Sequence, residues 1–156
     1  MRHGPLHTVP GGLAVTSPTG LHVRLRSAGV AHHRAEEALA VFDWDDVAAV
    51  SLRLPGSWFP YPGAAATIGY GVLTLLSQEV DAPPHEESAI RIAFTGGASE
   101  DLPVTHAPGG YWRRAIARAE LLIGQFIDNP ATRALLDRPE HIMRRYIAST
   151  RWRIHP

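Results

Sequence analysis

The 156-residue sequence contains neither cysteine nor lysine. Without cysteine the chain cannot form a disulfide, a thiolate metal site or a cysteine nucleophile. Without lysine it cannot form a Schiff base or use a lysine general base, because both need a side-chain amine. All 15 basic residues are therefore arginine. These absences remove several classes of enzyme and leave the redox environment of the protein open.

Long hydrophobic runs are also missing. The most apolar stretch, Ala64–Leu76, is interrupted by Gly69 and Gly71, and it is shorter than the roughly 20 apolar residues that a membrane-spanning helix needs. The first twelve residues lack the apolar centre of a secretory signal. We therefore expect a cytoplasmic protein whose residues 1–11 form a flexible lead-in.

Charge is balanced overall but not along the chain. Hydrophobic residues make up 45% and charged residues 19% of the sequence, which is typical of one folded domain of this length. Residues 1–110 carry six arginines and eleven acidic residues, whereas residues 111–156 carry nine arginines and four acidic residues. The basic end could bind an anionic partner, or the two halves could attract each other within one fold. We favour the second interpretation because the basic half is also apolar.

Alternation of apolar and polar residues predicts six or seven short strands before Gly109. The central stretch is Val41–Leu54, in which Phe42 and Trp44 are expected to share one side of an extended chain. Asp45 and Asp46 then predict a turn or bulge, after which the alternation resumes. Further strands are predicted at 13–16, 21–26, 30–34, 70–77, 89–94 and 102–105.

The predicted strand at 21–26 has two different faces. Leu21, Val23 and Leu25 point one way, and the polar residues His22, Arg24 and Arg26 point the other way. Such alternation indicates an antiparallel sheet with one face in the core and one in water.

Beyond Gly110 the apolar period changes to three and four residues, which predicts an α-helix over Tyr111–Ile127. Asp128 or Asn129 is placed to cap a further helical turn that begins at Pro130. A second, short helix is predicted after Pro139. The apolar positions of the two helices are Trp112, Ile116, Ala119, Leu122, Ile123 and Phe126, then Ile142, Met143, Tyr146 and Ile147.

The segment Gly20–Leu25, followed by Phe42–Val47 and the strand to Leu54, resembles bacterial pleckstrin-homology-like (PH-like) domains. The resemblance covers about residues 12–128 and implies an α+β fold, in which a strongly bent antiparallel sheet or barrel is capped by a C-terminal α-helix. Residues 129–156 would then be a helical extension packed on the same domain. Members of this family often act as adaptors, so the resemblance also implies a non-catalytic binding module, most simply for another protein.

Metal and cofactor sites are not expected. The nine histidines include His32 and His33 near Glu36, and His141 beside Glu140. No pair of them has the spacing that places two ligands on one helix face with a third ligand nearby. The sequence contains no nucleophile elbow, phosphate loop or dinucleotide-binding fingerprint. The aspartates of the central stretch are interpreted as turn and capping residues.

Three hypotheses about function remain open. The first is a protein-binding surface made by the aromatic loop after Leu54 and the arginines of the helices, and the second is binding of anionic lipid or nucleic acid by those arginines. The third is a small enzyme that uses a histidine and a carboxylate. A separate, weaker anion-binding candidate lies on the first strands. The candidate partner-binding residues are Trp58, Phe59, Tyr61, Arg113, Arg114, Arg118, Arg144 and Arg145, and the candidate anion-binding residues are Arg24, Arg26 and Arg34.

Overall fold

The computed structural model describes residues 1–58 and 88–150. Within them it is a mixed α+β structure with two antiparallel sheets, a short parallel strand pair and helices at the C-terminal end. The strand predicted at 70–77 lies outside the described residues, as do Phe59 and Tyr61.

The first sheet is an antiparallel meander in which each strand pairs with the next one along the chain. Hairpin connections bring sequential strands together, so this order needs no crossover. One irregularity, between His32 and His33, shifts the register with the sixth strand. The six strands are β1 (Arg2–His3), β2 (Leu6–Val9), β3 (Gly12–Val15), β4 (Leu21–Arg26), β5 (Gly29–Arg34) and β6 (Glu37–Phe42).

The N-terminal residues correct one prediction. We expected a flexible lead-in over residues 1–11, but this segment forms β1 and β2, of which β1 pairs with β2 and β2 pairs with β3. Leu6 is fully buried opposite Val15. The few apolar residues of this segment are too sparse to show periodicity, yet Leu6 and Val9 are enough to fix a four-residue strand on an existing sheet edge.

The turn after β6 corrects a second prediction. Trp44 does not continue the strand of Phe42; it begins a 3₁₀ turn, Trp44–Asp46. The Asp43 carboxylate accepts a hydrogen bond from the Asp45 amide at 3.0 Å, which caps this turn. The expected turn and capping role of these aspartates is thereby confirmed. Trp44 is buried, and its indole Nε1 donates to the Arg26 carbonyl at 2.7 Å.

The second sheet has the order β10-β9-β7, with β7 at Val47–Arg53, β9 at Ala89–Phe94 and β10 at Ser99–Pro103. A separate parallel pair joins β8 (Gly56–Ser57) to β11 (Tyr111–Trp112). The described strands do not close into a barrel. The prediction of antiparallel sheets followed by C-terminal helices is confirmed.

Two helices and a 3₁₀ segment complete the described chain. α1 spans Arg113–Asp128, the 3₁₀ segment spans Pro130–Asp137, and α2 spans Pro139–Thr150. The Asn129 side chain accepts from the Ala131 amide at 3.2 Å, so the predicted cap is confirmed. α1 begins two residues later than predicted because Tyr111 and Trp112 pair with β8.

One hydrophobic core joins both sheets to both helices. The apolar face predicted for α1 is buried at Ile116, Ile123 and Phe126, and Trp112 is buried just before the helix. From α2, Ile142, Met143 and Tyr146 enter the same core. No helix in the described parts of the chain is long and apolar enough to cross a membrane.

Candidate functional site

The parallel pair of β8 and β11 brings Trp58, the first residue after β8, to the start of α1. The Tyr111 amide donates to the Pro55 carbonyl at 2.8 Å. Gly110 precedes this contact with φ +74°, and a Cβ atom there would lie 2.4 Å from the Pro55 oxygen. Only glycine combines this conformation with so close an approach. The paired backbone therefore holds Trp58, which follows β8, close to Arg113, which follows β11.

Two predicted partner-binding residues, Trp58 and Arg113, meet at this point. The Arg113 guanidinium lies over the Trp58 ring, 4.7 Å from its centroid, and 76% of Trp58 is exposed. The next arginine, Arg114, lies 5.8 Å from the centroid of the Trp112 ring. Both distances are in the range of cation–π attraction. The structure thus joins one residue of the aromatic loop to the arginine face of α1.

A second surface lies between α1, the 3₁₀ segment and α2, where an open groove of about 340 Å³ is present. Its floor is apolar and includes Phe126, Ile142 and Tyr146. Arg118 of α1 and Arg145 of α2 both line it, although they are 27 positions apart in the sequence. We call this surface the helical groove. Arg144 is exposed but does not line the helical groove.

Buried hydrogen bonds hold the walls of the helical groove. The Tyr146 hydroxyl donates to the Ala115 carbonyl at 2.7 Å, and this bond ties α2 to the first half of α1. Burial raises the pKa of Tyr146 above its ordinary value, so the hydroxyl remains a donor throughout the physiological range. At the other end, the Arg133 Nε donates to the Phe126 carbonyl at 2.9 Å, which satisfies one of the last carbonyls of α1.

The five predicted arginines of α1 and α2 are all exposed, namely Arg113, Arg114, Arg118, Arg144 and Arg145. Within the described residues, none of them forms an ion pair with a carboxylate. Glu120, the only acidic residue inside α1 before its last position, instead accepts a hydrogen bond from the Leu52 amide at 2.7 Å. The helical end of the molecule therefore carries positive charge that its own described acids do not neutralise.

Arg24 occupies a very different environment on the first sheet. Only 4% of its side chain is exposed. Its Nε donates to the His22 Nε2 at 2.9 Å, and its Nη2 donates to the Glu36 carboxylate at 2.7 Å and to the Ala35 carbonyl at 3.3 Å. Since arginine can only donate, His22 must carry its proton on Nδ1, from which it donates to the Gly20 carbonyl at 2.9 Å. His22 is therefore neutral in this arrangement.

These contacts correct the expectation of a wet sheet face. His22 and Arg24 do share the face opposite Val23 and Leu25, as predicted, but both are buried. The neighbouring strand adds His33, whose ring stacks on His22 with centroids 5.5 Å apart. The polar atoms of this face largely satisfy one another, so the face does not need water.

The same cluster contains perturbed histidines. Burial lowers the pKa of His22 and of His33, and the positive charge of Arg24 lowers both further. Burial, together with Arg2, the amino terminus and His22, lowers the pKa of His7 to about 4. His33 Nδ1 is buried and has no hydrogen-bond partner. The sequence places His22 and His33 near Arg24 on the first strands, but it gives no signal that His7 joins them, because His7 comes from β2 and reaches this face only through the pairing of the strands.

The structure does not gather the three predicted anion-binding arginines. Arg26 shares a sheet face with Arg24 but is exposed, whereas Arg24 uses its donors inside the protein. Arg34 pairs with Leu21 and so belongs to the opposite face. His32 and His33 also point to opposite faces, and the His32 Nε2 lies 2.8 Å from the Pro103 carbonyl. No group of three histidine or acidic residues in the described ranges could hold a metal ion.

One hydrogen bond resembles part of a catalytic dyad. The Ser88 hydroxyl lies 2.8 Å from His106 Nδ1, beside a cavity of about 600 Å³ that Ser88 and Arg53 help to line. A base in such a dyad is normally oriented through its second nitrogen. None of the hydrogen bonds among residues 1–58 and 88–150 orients His106 in this way. We interpret this hydrogen bond as a structural contact that joins Ser88, directly before β9, to His106 in the segment after β10.

The chain matches no protein-family model, no curated protein and no solved structure.

Proposed function

We propose that this protein is a non-catalytic, protein-binding module with a PH-like architecture. The strand order supports the architecture: four antiparallel strands, β3 to β6, are followed by the three-stranded sheet of β7, β9 and β10 and then by α1. Antiparallel strands followed by a C-terminal α-helix are what the resemblance implies. The hairpin of β1 and β2 and the extension after Asn129 would be additions to it.

The observation that carries the binding function is the unneutralised arginine surface of α1 and α2. An exposed arginine contributes little to the stability of the fold, since a surface ion pair is worth only about 0–1 kcal/mol even when it forms. Five such residues on two helices are therefore better explained by a partner than by stability. Arginine is also enriched in protein interfaces, where its planar group forms several hydrogen bonds.

A protein is favoured over lipid or nucleic acid because apolar side chains are interleaved with the arginines. Leu121 is 61% exposed, Leu135 is 47% exposed, and Trp58 stands next to Arg113. Phosphate-binding surfaces depend mainly on charge, whereas protein interfaces combine an apolar centre with a polar rim. Binding of anionic lipid or nucleic acid by the same arginines remains the second candidate. Within the described residues no histidine bonds a carboxylate, so no observation favours the enzyme hypothesis.

The test compares three ligand classes with one matched pair of proteins. The full chain and its Arg113→Glu/Arg114→Glu/Arg118→Glu/Arg145→Glu variant are each presented to a displayed library of protein fragments, to phosphatidylserine vesicles and to double-stranded oligonucleotides. We expect the wild-type chain to enrich specific protein fragments that the variant loses. The variant should keep its thermal unfolding temperature, because the four side chains are exposed.

Salt dependence separates the candidates further. Binding that depends on several phosphate contacts weakens by about 10³ or more between 50 and 200 mM salt, whereas a protein interface with an apolar centre should weaken by about tenfold or less. Binding only to vesicles or oligonucleotides, with the steep salt dependence, would replace the proposal by the second candidate.

A further inference from the structure

We propose that the helical groove binds an acidic amphipathic α-helix of a partner protein. The proposal rests on the proposed function and adds the site and the chemistry of the ligand. The observation that supports it is that one open groove combines an apolar floor, exposed leucines and two arginines.

The floor of the helical groove offers apolar side chains that are already packed in the hydrophobic core. Phe126 and Ile142 belong to the hydrophobic core and expose only their edges to the groove. Leu121 and Leu135 also line the groove and are largely exposed. Burying an apolar side chain against such a surface removes apolar area from water and so favours binding. The groove can therefore take apolar side chains of a ligand without rearranging the core.

The charged residues that line the helical groove indicate that its ligand is acidic. Arg118 and Arg145 line the helical groove from two different helices, and none of the acidic residues that the structure describes lines it. Neither arginine forms an ion pair within the described residues. Gln125 and Ser149 add uncharged polar groups to the lining. A ligand with carboxylates beside its apolar residues would meet both arginines, whereas a basic ligand would be repelled.

The walls favour a helix over an extended peptide. An extended peptide gains affinity by pairing its backbone with a free sheet edge, but a helix fits a groove through side chains at positions i, i+3, i+4 and i+7. The walls here are α1, the 3₁₀ segment and α2, which bond their own backbone groups internally. The groove-lining residues of α1 run from Arg118 to Phe126, which is about 12 Å of helix, so about two turns of a partner helix could lie against them.

The open shape argues against a small anionic amphiphile such as a fatty acid. Small-molecule sites usually bury about 70–90% of their ligand. The helical groove is open along the side on which Leu121 and Leu135 are exposed, so much of a small ligand would stay in water. A macromolecular partner would cover these leucines as well as the floor.

The probe is a displayed library of peptides of about 16 residues, with leucine or isoleucine at the i, i+3, i+4 and i+7 positions and all other positions randomised. It is selected against the full chain, and enriched peptides are synthesised with a fluorophore for affinity measurement. We expect the enriched peptides to carry an excess of aspartate and glutamate. Arg118→Glu/Arg145→Glu should weaken their binding at least about tenfold, because each attraction becomes a repulsion.

The matched control is Arg2→Glu/Arg138→Glu. It makes the same change of charge on two exposed arginines that neither line the helical groove nor belong to the five candidate partner-binding arginines of α1 and α2. We expect it to weaken binding no more than about threefold, through the general field alone. Unchanged circular dichroism and unfolding temperature for both variants would exclude loss of folding as the cause.

Several results would overturn the inference. These are a library that yields no enriched peptide, enriched peptides without excess acid, equal effects of the two double variants, or competition of the peptides by oleate but not by unlabelled peptide. If protein fragments are captured as proposed above but bind equally well to Arg118→Glu/Arg145→Glu, the inference fails while the proposed function stands. If no fragment and no peptide binds, both fail.

Discussion

The arginines of the first sheet and those of the helices show how the same side chain can serve the fold or remain available to a partner. Arg24 is 4% exposed and directs donors to His22, Ala35 and Glu36. Arg118 and Arg145 are exposed, line one groove and meet no acid in the described chain. Clustering of basic residues in a sequence therefore does not identify a binding site. A better indicator of a binding site is how many hydrogen-bond donors of each arginine already have partners inside the fold.

The largest effect is expected from removing Arg24. Arg24→Ala would leave the His22 Nε2 and the Ala35 carbonyl without their donor in a buried place, and we expect a loss of about 2–3 kcal/mol in the free energy of unfolding. Urea denaturation measures this loss. Arg26→Ala, two residues along the same strand and exposed, is the matched control and should change stability by less than about 0.5 kcal/mol. Equal losses for the two variants would remove the distinction between them.

Acidification should weaken the sheet cluster before it affects the helical groove. His7, His22 and His33 all have a pKa below the ordinary 6.5 in the folded protein, and that of His7 is about 4. The unfolded chain therefore binds more protons below pH 6.5, and the free energy of unfolding must fall as the pH is lowered towards 4. Allowing for its partial exposure, His7 alone should contribute about 1–2 kcal/mol of this loss by pH 5.

Chemical denaturation at pH 7.5, 6 and 5 tests this dependence. The His7→Gln variant should show a flatter profile in that range, since a neutral side chain replaces the titrating ring. A stability that is constant from pH 7.5 to 5, or that rises on acidification, would contradict the assignment of neutral buried histidines.

A smaller effect on the free energy of unfolding is expected from the hydrogen bond that joins α2 to α1 at the helical groove. Tyr146→Phe removes the hydroxyl that donates to the buried Ala115 carbonyl and should cost about 1–2 kcal/mol. The same variant should weaken peptide binding only slightly, because the ring that lines the floor is retained. Denaturation and peptide titration measure the two effects on one protein. A variant of wild-type stability would show that this bond does not hold α2 against α1.

The smallest effect on stability is expected from the groove arginines themselves. Arg118→Glu/Arg145→Glu should change the free energy of unfolding by less than about 0.5 kcal/mol, since neither side chain has an ion-pair partner in residues 1–58 and 88–150 that its loss would leave unpaired. Differential scanning calorimetry is sensitive enough to detect a larger change. A loss comparable to that of Arg24→Ala would mean that these arginines serve the fold.

Much of the fold could be predicted because its signals are local. The alternation of Leu21, Val23 and Leu25 predicted β4, and the three- and four-residue period of Ile116, Ile123 and Phe126 predicted α1 and its buried face. The Asn129 cap was predictable for the same reason, since capping depends on neighbouring residues. In contrast, Trp44 left its expected strand because the cap at Asp43 and burial against the core outweighed the alternation.

The candidate site was predicted only in its residue types. The sequence placed arginines on two helices, but which of them share a groove depends on how the helices pack. Arg118 and Arg145 line one surface, while Arg144 does not. The meeting of Trp58 with Arg113 depends in the same way on the pairing of β8 with β11. The burial of Arg24 could not be predicted either, because its partners His22, Ala35 and Glu36 follow no motif.

The central claim is that partner binding belongs to the helical groove and not to the polar face of the sheet. Its most direct test is the change in backbone amide chemical shifts of the isotope-labelled full chain during titration with an enriched acidic peptide. We predict that the largest changes fall in residues 118–126 and 142–149, with little change in β4 and β5. Largest changes around His22, Arg24 and His33, or shifts spread evenly over the surface, would contradict the claim.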